Sequence, residues 1–299
     1  MRNLLLSRQL TSLSLAALVC IPVFALDSAE YSRSVEQWRQ EYSTKLTSDT
    51  GWLTVSGLFW LKVGENRFGA NPKNDIVLPA SAPDFAGVFD FHAGKISVRI
   101  LPGVQATMNG KPVQAAELRP DSKEDWLMLG DLILYVHASG PRMSIRLRDK
   151  NSAVRKSFTG LKWFPIDESF RALAKYTPYN PPKELDSENI LGDPIKMKIL
   201  GFLTFTLKGQ NIRLEAGPDD AGTGLFIVFR DLTSGKETYP ASRFLDAAAP
   251  TNGSVELDFN KAYNPPCAYN PFTTCPLPLP GNRLHIRIPV GEKLYKHGH

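Results

Sequence analysis

The chain has 299 residues, 42% of them hydrophobic, with 35 Lys and Arg against 30 Asp and Glu and a formal net charge of +5. This small positive excess argues against a nucleic-acid-binding protein, which needs a dense patch of Lys and Arg. The length suffices for one large domain or two small ones, each with its own core.

The first 25 residues have the layout of a secretory signal peptide. Arg2 and Arg8 precede a largely apolar run over residues 10–24, and residues 23–25 read Val-Phe-Ala, a typical cleavage site. The apolar run is short for a membrane span. We expect cleavage and a periplasmic or secreted protein with no integral membrane segment afterwards. An uncleaved anchor and lipid modification of Cys20 are the alternatives.

Residues 26–49 are predicted to form the one clear helix. Its apolar side chains recur at spacings of three and four, which places them on one face: Tyr31, Val35, Trp38, Tyr42 and Leu46. Asp27 or Ser28 is available as the N-cap. Such a stripe is typical of a helix packed against a sheet or domain edge, with a partner-binding helix as the alternative.

Residues 50–155 are predicted to form an all-β sandwich, so the fold class is mainly β. Short apolar or alternating runs follow one another about every ten residues, with turns and no helix between them. The predicted strands are Leu53–Trp60, Asp75–Leu78, Val88–Phe91, Ile96–Leu101, Val104–Met108, Leu132–His137 and Ser144–Leu147, and Gly64-Glu65-Asn66 is predicted as a turn.

This region resembles a forkhead-associated (FHA) domain, a β-sandwich that binds phosphothreonine peptides. The resemblance rests on Asn66–Gly69 followed by Asn74–Leu78, and on Met108–Val113 followed by Leu129-Gly130-Asp131. In that family an arginine follows the first glycine, whereas Ala70 stands here. A phosphate site needs such charged donors. We therefore expect an FHA-like fold without phosphopeptide binding.

A connection over residues 156–189 is predicted next, because Tyr176–Asn189 is rich in proline and polar residues. Residues 190–299 are predicted to form a second β-rich domain with a proline-rich cap. Its predicted strands are Ile195–Leu207, Ile212–Glu215, Leu225–Phe229, Val255–Phe259 and Leu284–Ile288.

Several long motifs resemble an uncharacterised bacterial family known as DUF1684. They are Gly51–Leu61, the run from Phe229 to Leu245, Asn282-Arg283-Leu284 and Gly291-Glu292-Lys293. The resemblance extends over residues 35–293. It implies a shared architecture, and the family brings no established reaction.

The segment from Asp258 to Arg283 carries six prolines and the two cysteines outside the leader, Cys267 and Cys275. Proline fixes φ and removes an amide donor, so neither helix nor central strand is expected. We predict an ordered cap whose aromatic residues, Tyr263, Tyr269 and Phe272, form a rigid surface. In an oxidising compartment the two cysteines predict one disulfide. No metal site is expected, since two thiols fall short of four ligands.

A polar group of side chains near this segment is the candidate site: Asp231, Thr233, Tyr239, Arg243, Asp258, Asn260 and Arg283. One interpretation is a pocket in which an arginine holds an anion and a carboxylate acts as acid or base. The other, which we favour, is a network of turns and ion pairs that only stabilises the fold.

The sequence therefore leaves two hypotheses. The first is an exported envelope protein that binds an unidentified ligand or protein partner. The alternative is a hydrolase-like enzyme of unrecognised type, with its site around Asp231, Tyr239, Arg243 and Asp258. Common hydrolase, nucleotide-binding and zinc-protease motifs do not occur, and no cofactor is predicted.

Overall fold

The computed structural model describes residues 27–295, so the predicted leader and Cys20 lie outside the described residues. It contains two α-helices, α1 (Ser28–Thr47) and α2 (Ala153–Lys156). Short 3₁₀ helices occupy Trp52–Thr54, Lys123–Asp125, Glu168–Phe170, Phe259–Lys261, Pro266–Ala268 and Pro280–Asn282. No helix within 27–295 is long and apolar enough to cross a membrane.

Most of the ordered structure is strand, which confirms the mainly β fold class. The strands before residue 150 are β1 (Val55–Trp60), β2 (Gly64–Gly69), β3 (Ile76–Val77), β4 (Gly87–His92), β5 (Lys95–Ile100), β6 (Thr107–Met108), β7 (Lys111–Pro112), β8 (Ala115–Leu118), β9 (Leu127–Leu129), β10 (Leu132–Ser139) and β11 (Arg142–Asp149). Those after it are β12 (Arg171–Glu188), β13 (Pro194–Leu207), β14 (Gln210–Pro218), β15 (Leu225–Phe229), β16 (Arg243–Ala247) and β17 (Ser254–Asp258).

The first eleven strands form a sandwich of two sheets. One sheet has the order β1-β11-β10-β9-β6-β7 and the other β3-β2-β4-β5-β8. Apolar residues of both sheets meet between them, and Phe68 stacks on Phe89 with ring centroids 4.5 Å apart. The turn predicted at Gly64-Glu65-Asn66 is wrong, because these residues begin β2. The predicted strand Val104–Met108 shrinks to β6, because Val104 lies in a turn closed on Leu101.

The outer face of the first sheet is polar yet buried. Side chains alternate between faces along a strand, so Ile145 and Leu147 enter the core while Arg146 and Arg148 face away from it. His137 on β10 also lies on this outer face and is largely buried. These side chains are buried because the segment from Asp258 to Arg283, called the C-terminal segment below, covers this face. Its Thr274 contacts both His137 and Arg146.

The remaining strands form one sheet in the order β16-β15-β14-β13-β12-β17. Its edge strands β16 and β17 contact each other, so the sheet curls around a second apolar core. Ile286, Ile288 and Val290 are buried in that core. The predicted strand Leu284–Ile288 is wrong, because this segment forms no ladder and its alternation reflects side chains inserted into the core.

The predicted connection over residues 156–189 is wrong in its second half, because β12 begins at Arg171. β12 tolerates its prolines for two reasons. It pairs with β17 only over Arg171–Lys175, so one edge is open beyond that point, and its pairing with β13 shifts register between Pro178 and Lys183. Edges and bulges are the places where a sheet accepts proline.

The helix α1 confirms the predicted stripe, with Asp27 as N-cap accepting a hydrogen bond from the Ala29 amide. Tyr31, Val35 and Leu46 are buried. The helix packs near the C-terminal segment, where Leu46 joins Leu53 and Tyr269 in a small apolar cluster. The sandwich, the helix and the second sheet are thereby held together.

Candidate functional site

The centre of the predicted polar site is a buried ion pair. Arg243 Nη1 donates to Asp231 Oδ2 at 2.7 Å, and neither side chain is exposed. The guanidinium also donates to the carbonyls of Ile288 and Val290. Burial lowers the pKa of Arg243, against the opposing attraction of Asp231. Every strong contact of this arginine is internal, so it offers no charge to a ligand.

Asp231 also organises its own turn. Its Oδ1 accepts from the Thr233 amide at 2.6 Å and from the Thr233 hydroxyl at 2.5 Å. The same hydroxyl lies 2.9 Å from that of Thr238. This is a turn fastened by its own side chains, as the favoured interpretation predicted.

Asp258 and Asn260 bind the N-terminal helix. Tyr31 Oη donates to Asp258 Oδ1 at 2.9 Å, and Asn260 Nδ2 donates to Tyr31 Oη at 2.9 Å. Burial and the nearby Asp258 carboxylate raise the pKa of Tyr31. Asn260 also makes two hydrogen bonds with the backbone of Asp167. Its Oδ1 accepts from the Asp167 amide, and its Nδ2 donates to the Asp167 carbonyl. These two residues therefore act as a joint between α1, the start of β12 and the end of β17.

The remaining predicted residues also contact the backbone. Tyr239 Oη donates to the Cys267 carbonyl at 3.1 Å, and Arg283 Nε to the Pro278 carbonyl at 3.4 Å. The seven predicted residues do not converge on open space, and none of them lines either cavity described below.

The predicted disulfide is absent from the structure, because Cys267 and Cys275 are both free thiols. The Cys267 amide donates to Cys275 Sγ at 3.2 Å. Burial opposes ionisation of Cys275, but hydrogen bonds with Cys267 and Thr273 and the charge of Arg146 outweigh it and lower its pKa. The hydrogen bond to Cys275, together with burial, raises the pKa of Cys267.

The proline segment is packed, but its aromatic residues do not form the expected free surface. Tyr269 is fully buried and donates to Glu292 at 2.8 Å. Burial raises the pKa of Glu292 to about 7, although hydrogen bonds from Asn264 and Tyr269 oppose the rise. Tyr263 is half-buried and donates to Asp246 at 3.0 Å. An ordered cap was predicted and is present, whereas the rigid aromatic surface predicted with it is not formed by Tyr263 and Tyr269.

The larger of two described cavities is an open cleft on the sandwich, with a volume of about 600 Å³. We name it the Trp126 cleft; it is lined by Gln105, Thr107, Asn109, Gly110, Lys123, Trp126, Met128 and Gly130. Leu127 and Leu129 enter the core, so their neighbours Trp126 and Met128 face outward and form the floor. This volume falls in the range of small-molecule sites.

The walls of the Trp126 cleft are held in place. Trp126 stacks on Tyr135 at 5.3 Å, and the Arg148 guanidinium lies 5.5 Å from its ring. Asn109 and Gly110 both have positive φ, as a tight two-residue hairpin requires, and Asn109 Nδ2 donates to the Glu124 carbonyl at 2.8 Å. Within residues 27–295, Lys123 forms no ion pair, so its charge is available at the rim.

The second cavity is an apolar groove of about 250 Å³ between the second sheet and the proline segment. Met197, Phe226 and Val228 lie on the sheet side, and Pro276 and Leu279 on the segment side. No group of three or more His, Cys, Asp or Glu residues within the described part of the chain has a geometry that could hold a metal ion.

Comparison with known proteins assigns the second half of the chain to a protein family. The model of a protein family of unknown function, DUF1684, matches residues 156–293. An uncharacterised protein from Haloarcula marismortui is 33% identical over 46% of this chain and 78% of its own, with a TM-score of 0.39. The chain belongs to the DUF1684 family. Residues 35–155, which the sequence motifs also attributed to the family, lie outside the matched range.

The sandwich of this DUF1684 protein is similar to FHA domains. One is the FHA-2 domain of a Mycobacterium tuberculosis ABC transporter, 27% identical over 30% of this chain and 80% of its own, with a TM-score of 0.24. Another is from Chlamydia trachomatis, 17% identical over 30% of this chain and 81% of its own, with a TM-score of 0.22. Scores this low say nothing about what the sandwich binds. No curated protein matches this chain.

Proposed function

We propose that this DUF1684 protein is exported and binds a small ligand in the Trp126 cleft. The observation that carries the proposal is the cleft itself, in which an indole floor and several polar groups converge around about 600 Å³ of open space. Ligand sites have this character, with an apolar or aromatic wall and a few polar groups that fix orientation.

The side chains that line the Trp126 cleft indicate what kind of ligand would fit it. Trp126 offers a flat face for a ring or a sugar, and Gln105, Thr107 and Asn109 offer hydrogen bonds. Lys123 adds one positive charge without an internal partner. A small ring-containing molecule with a negative group fits this set best.

Export is the second part of the proposal. Arg2, Arg8 and the apolar run over residues 10–24 support it through their signal-peptide layout. The protein would then meet its ligand in the periplasm or outside the cell.

The alternative of an enzyme around Asp231, Tyr239, Arg243 and Asp258 gains no support from the geometry. These side chains are engaged with one another or with the backbone, as the contacts above describe. Asp231 and Arg243, the ion pair at the centre of this site, are both completely removed from solvent, so neither can reach a substrate.

A thermal-shift screen of small acidic sugars and aromatic acids tests the proposal, because a ligand that binds only the folded state raises the unfolding temperature. The shift should disappear in Trp126→Ala and weaken in Lys123→Gln. Matched controls are Trp60→Phe and Lys95→Gln, which change the same residue types outside the cleft. Shifts that survive Trp126→Ala, or a screen with no shift at all, would contradict the cleft as a ligand site.

A further inference from the structure

Three side chains from distant parts of the chain are joined in a line where the C-terminal segment meets the sandwich. His137 Nδ1 lies 2.6 Å from Asp121 Oδ1, and His137 Nε2 lies 2.6 Å from Thr274 Oγ1. A hydroxyl, an imidazole and a carboxylate in this order are the parts of an activated nucleophile. None of them lines the Trp126 cleft or belongs to the predicted polar site around Asp231 and Arg243.

The carboxylate is held firmly behind the imidazole. The Asp121 amide donates to the Val136 carbonyl at 2.9 Å, and its Oδ2 accepts from the Ala138 amide at 3.3 Å. Asp121 thus contacts β10 on both sides of His137. Its φ of 56° is a left-handed conformation that few side chains adopt, so the surrounding bonds must maintain it.

The contact from Arg146 bears on the direction of the hydrogen bond between Thr274 and His137. Its Nη2 donates to Thr274 Oγ1 at 3.1 Å, and a guanidinium has no acceptor to offer. The hydroxyl accepts from Arg146 and can donate its own proton to Nε2 of a neutral imidazole. Nδ1 then carries the ring proton and donates it to Asp121. This is the proton arrangement in which His137 can serve as a general base.

Positive charge and free amides surround the hydroxyl. Arg146 is only 4% exposed and has no carboxylate within 4 Å among the described residues. A buried cation without such a partner is unfavourable, and negative charge that develops beside it would offset that penalty. Within 27–295, the amides of Thr274 and Cys275 donate to no acceptor, which leaves them available for an oxyanion.

We propose that Thr274 is a nucleophile, activated by His137 and Asp121, that transfers the acyl group of a small ester to water. Oγ1 attacks the ester carbonyl while its proton moves to His137 Nε2, and the tetrahedral intermediate expels the alcohol, which takes that proton. Water then attacks the acyl-threonine, gives a proton to His137, and releases the acid with Thr274 restored. Arg146 and the two amides hold the oxyanion in both halves.

The test uses the purified protein with p-nitrophenyl acetate and with a fluorophosphonate probe. We expect hydrolysis above the buffer rate, and a probe adduct that peptide mass spectrometry places on Thr274. Thr274→Val, which removes the hydroxyl and keeps the shape, should lower kcat/KM by about 10²-fold or more. Thr274→Ser should restore activity and labelling, and the exposed control Thr223→Val should match the wild type.

Asp121→Asn keeps the shape of the carboxylate and covers the case in which Thr274→Val fails to fold. It should lower kcat by about 10²-fold or more while the probe, at high concentration, still labels Thr274. An adduct on Cys275, the neighbouring thiol, would overturn the proposal. So would activity unchanged in Thr274→Val, or a wild-type rate equal to that of buffer.

Discussion

Arg243 and Asp231 form an ion pair 2.7 Å long with both side chains completely removed from solvent. Through the Ile288 and Val290 carbonyls the same arginine fixes the chain that follows the C-terminal segment to β16. An arginine that the sequence offered as an anion receptor is therefore a structural element.

We predict that Asp231→Asn lowers the free energy of unfolding by about 3–5 kcal/mol, because it leaves a buried guanidinium without a counter-charge. Urea unfolding followed by tryptophan fluorescence measures this. The matched control is Asp186→Asn at the exposed pair with Lys196, which should leave the unfolding midpoint where it is. A loss below about 1 kcal/mol at Asp231 would mean that the pair contributes no more than a surface ion pair.

The buried carboxyl of Glu292 predicts a pH-dependent stability. Its pKa in the folded protein is about 7, against an ordinary value of 4.5, because burial disfavours the charge. The folded state thus keeps a proton that the unfolded state releases. Stability is fully present below about pH 4.5 and declines as pH rises to 7, by about 3 kcal/mol in all.

Unfolding free energies of Glu292→Gln, measured from pH 5 to pH 8, check this assignment. The variant should lose that decline whatever its absolute stability, since an amide does not titrate. Glu117→Gln, at an exposed strand position, should retain the wild-type slope. Equal slopes in Glu292→Gln and the wild type would show that another group is responsible.

The sandwich should not bind phosphothreonine peptides. Ala70 occupies the position of the family's arginine, and its amide is bonded to the Pro83 carbonyl at 2.9 Å. The nearby Arg67 is engaged with Asp75 at 3.7 Å. A phosphate would find no bidentate donor there. Fluorescence anisotropy against a phosphothreonine peptide library should give no phosphate-dependent signal, and micromolar binding that requires the phosphate would refute this.

The mature protein should begin near Leu26 and occur outside the cytoplasm. The charged start, apolar run and Val-Phe-Ala site of the first 25 residues predict this. N-terminal peptide mass spectrometry on separated cell fractions decides it. A soluble cytoplasmic protein that still begins at Met1 would rule out export, and a lipid on Cys20 would favour the lipoprotein alternative.

Local sequence patterns were sufficient to predict most of the secondary structure. The stripe from Tyr31 to Leu46 predicted α1, and alternation predicted most strands of the sandwich. The long strand β12 was missed because its prolines look like those of a linker. Only pairing with β13, which no local pattern reveals, explains how a bulge accommodates them.

The candidate sites were much less predictable. Asp121, His137 and Thr274 come from a turn, a strand and an irregular segment, and His137 and Thr274 alone are 137 positions apart. No spacing rule joins such residues, because tertiary packing alone brings them together. The polar side chains that the sequence did group, such as Asp231 and Thr233, are close in the chain because they form one turn.

The prolines of β12 also affect how the protein behaves in a crowded compartment. Over residues 177–186 the strand has no neighbour on the side away from β13 within the described part of the chain. An open edge of this kind is a template on which a second molecule can add a strand. Pro178, Pro181 and Pro182 lack amide hydrogens, and the bulge breaks the repeat of the backbone. Intermolecular sheet growth is therefore blocked along this edge, and replacing the three prolines with threonine would invite aggregation.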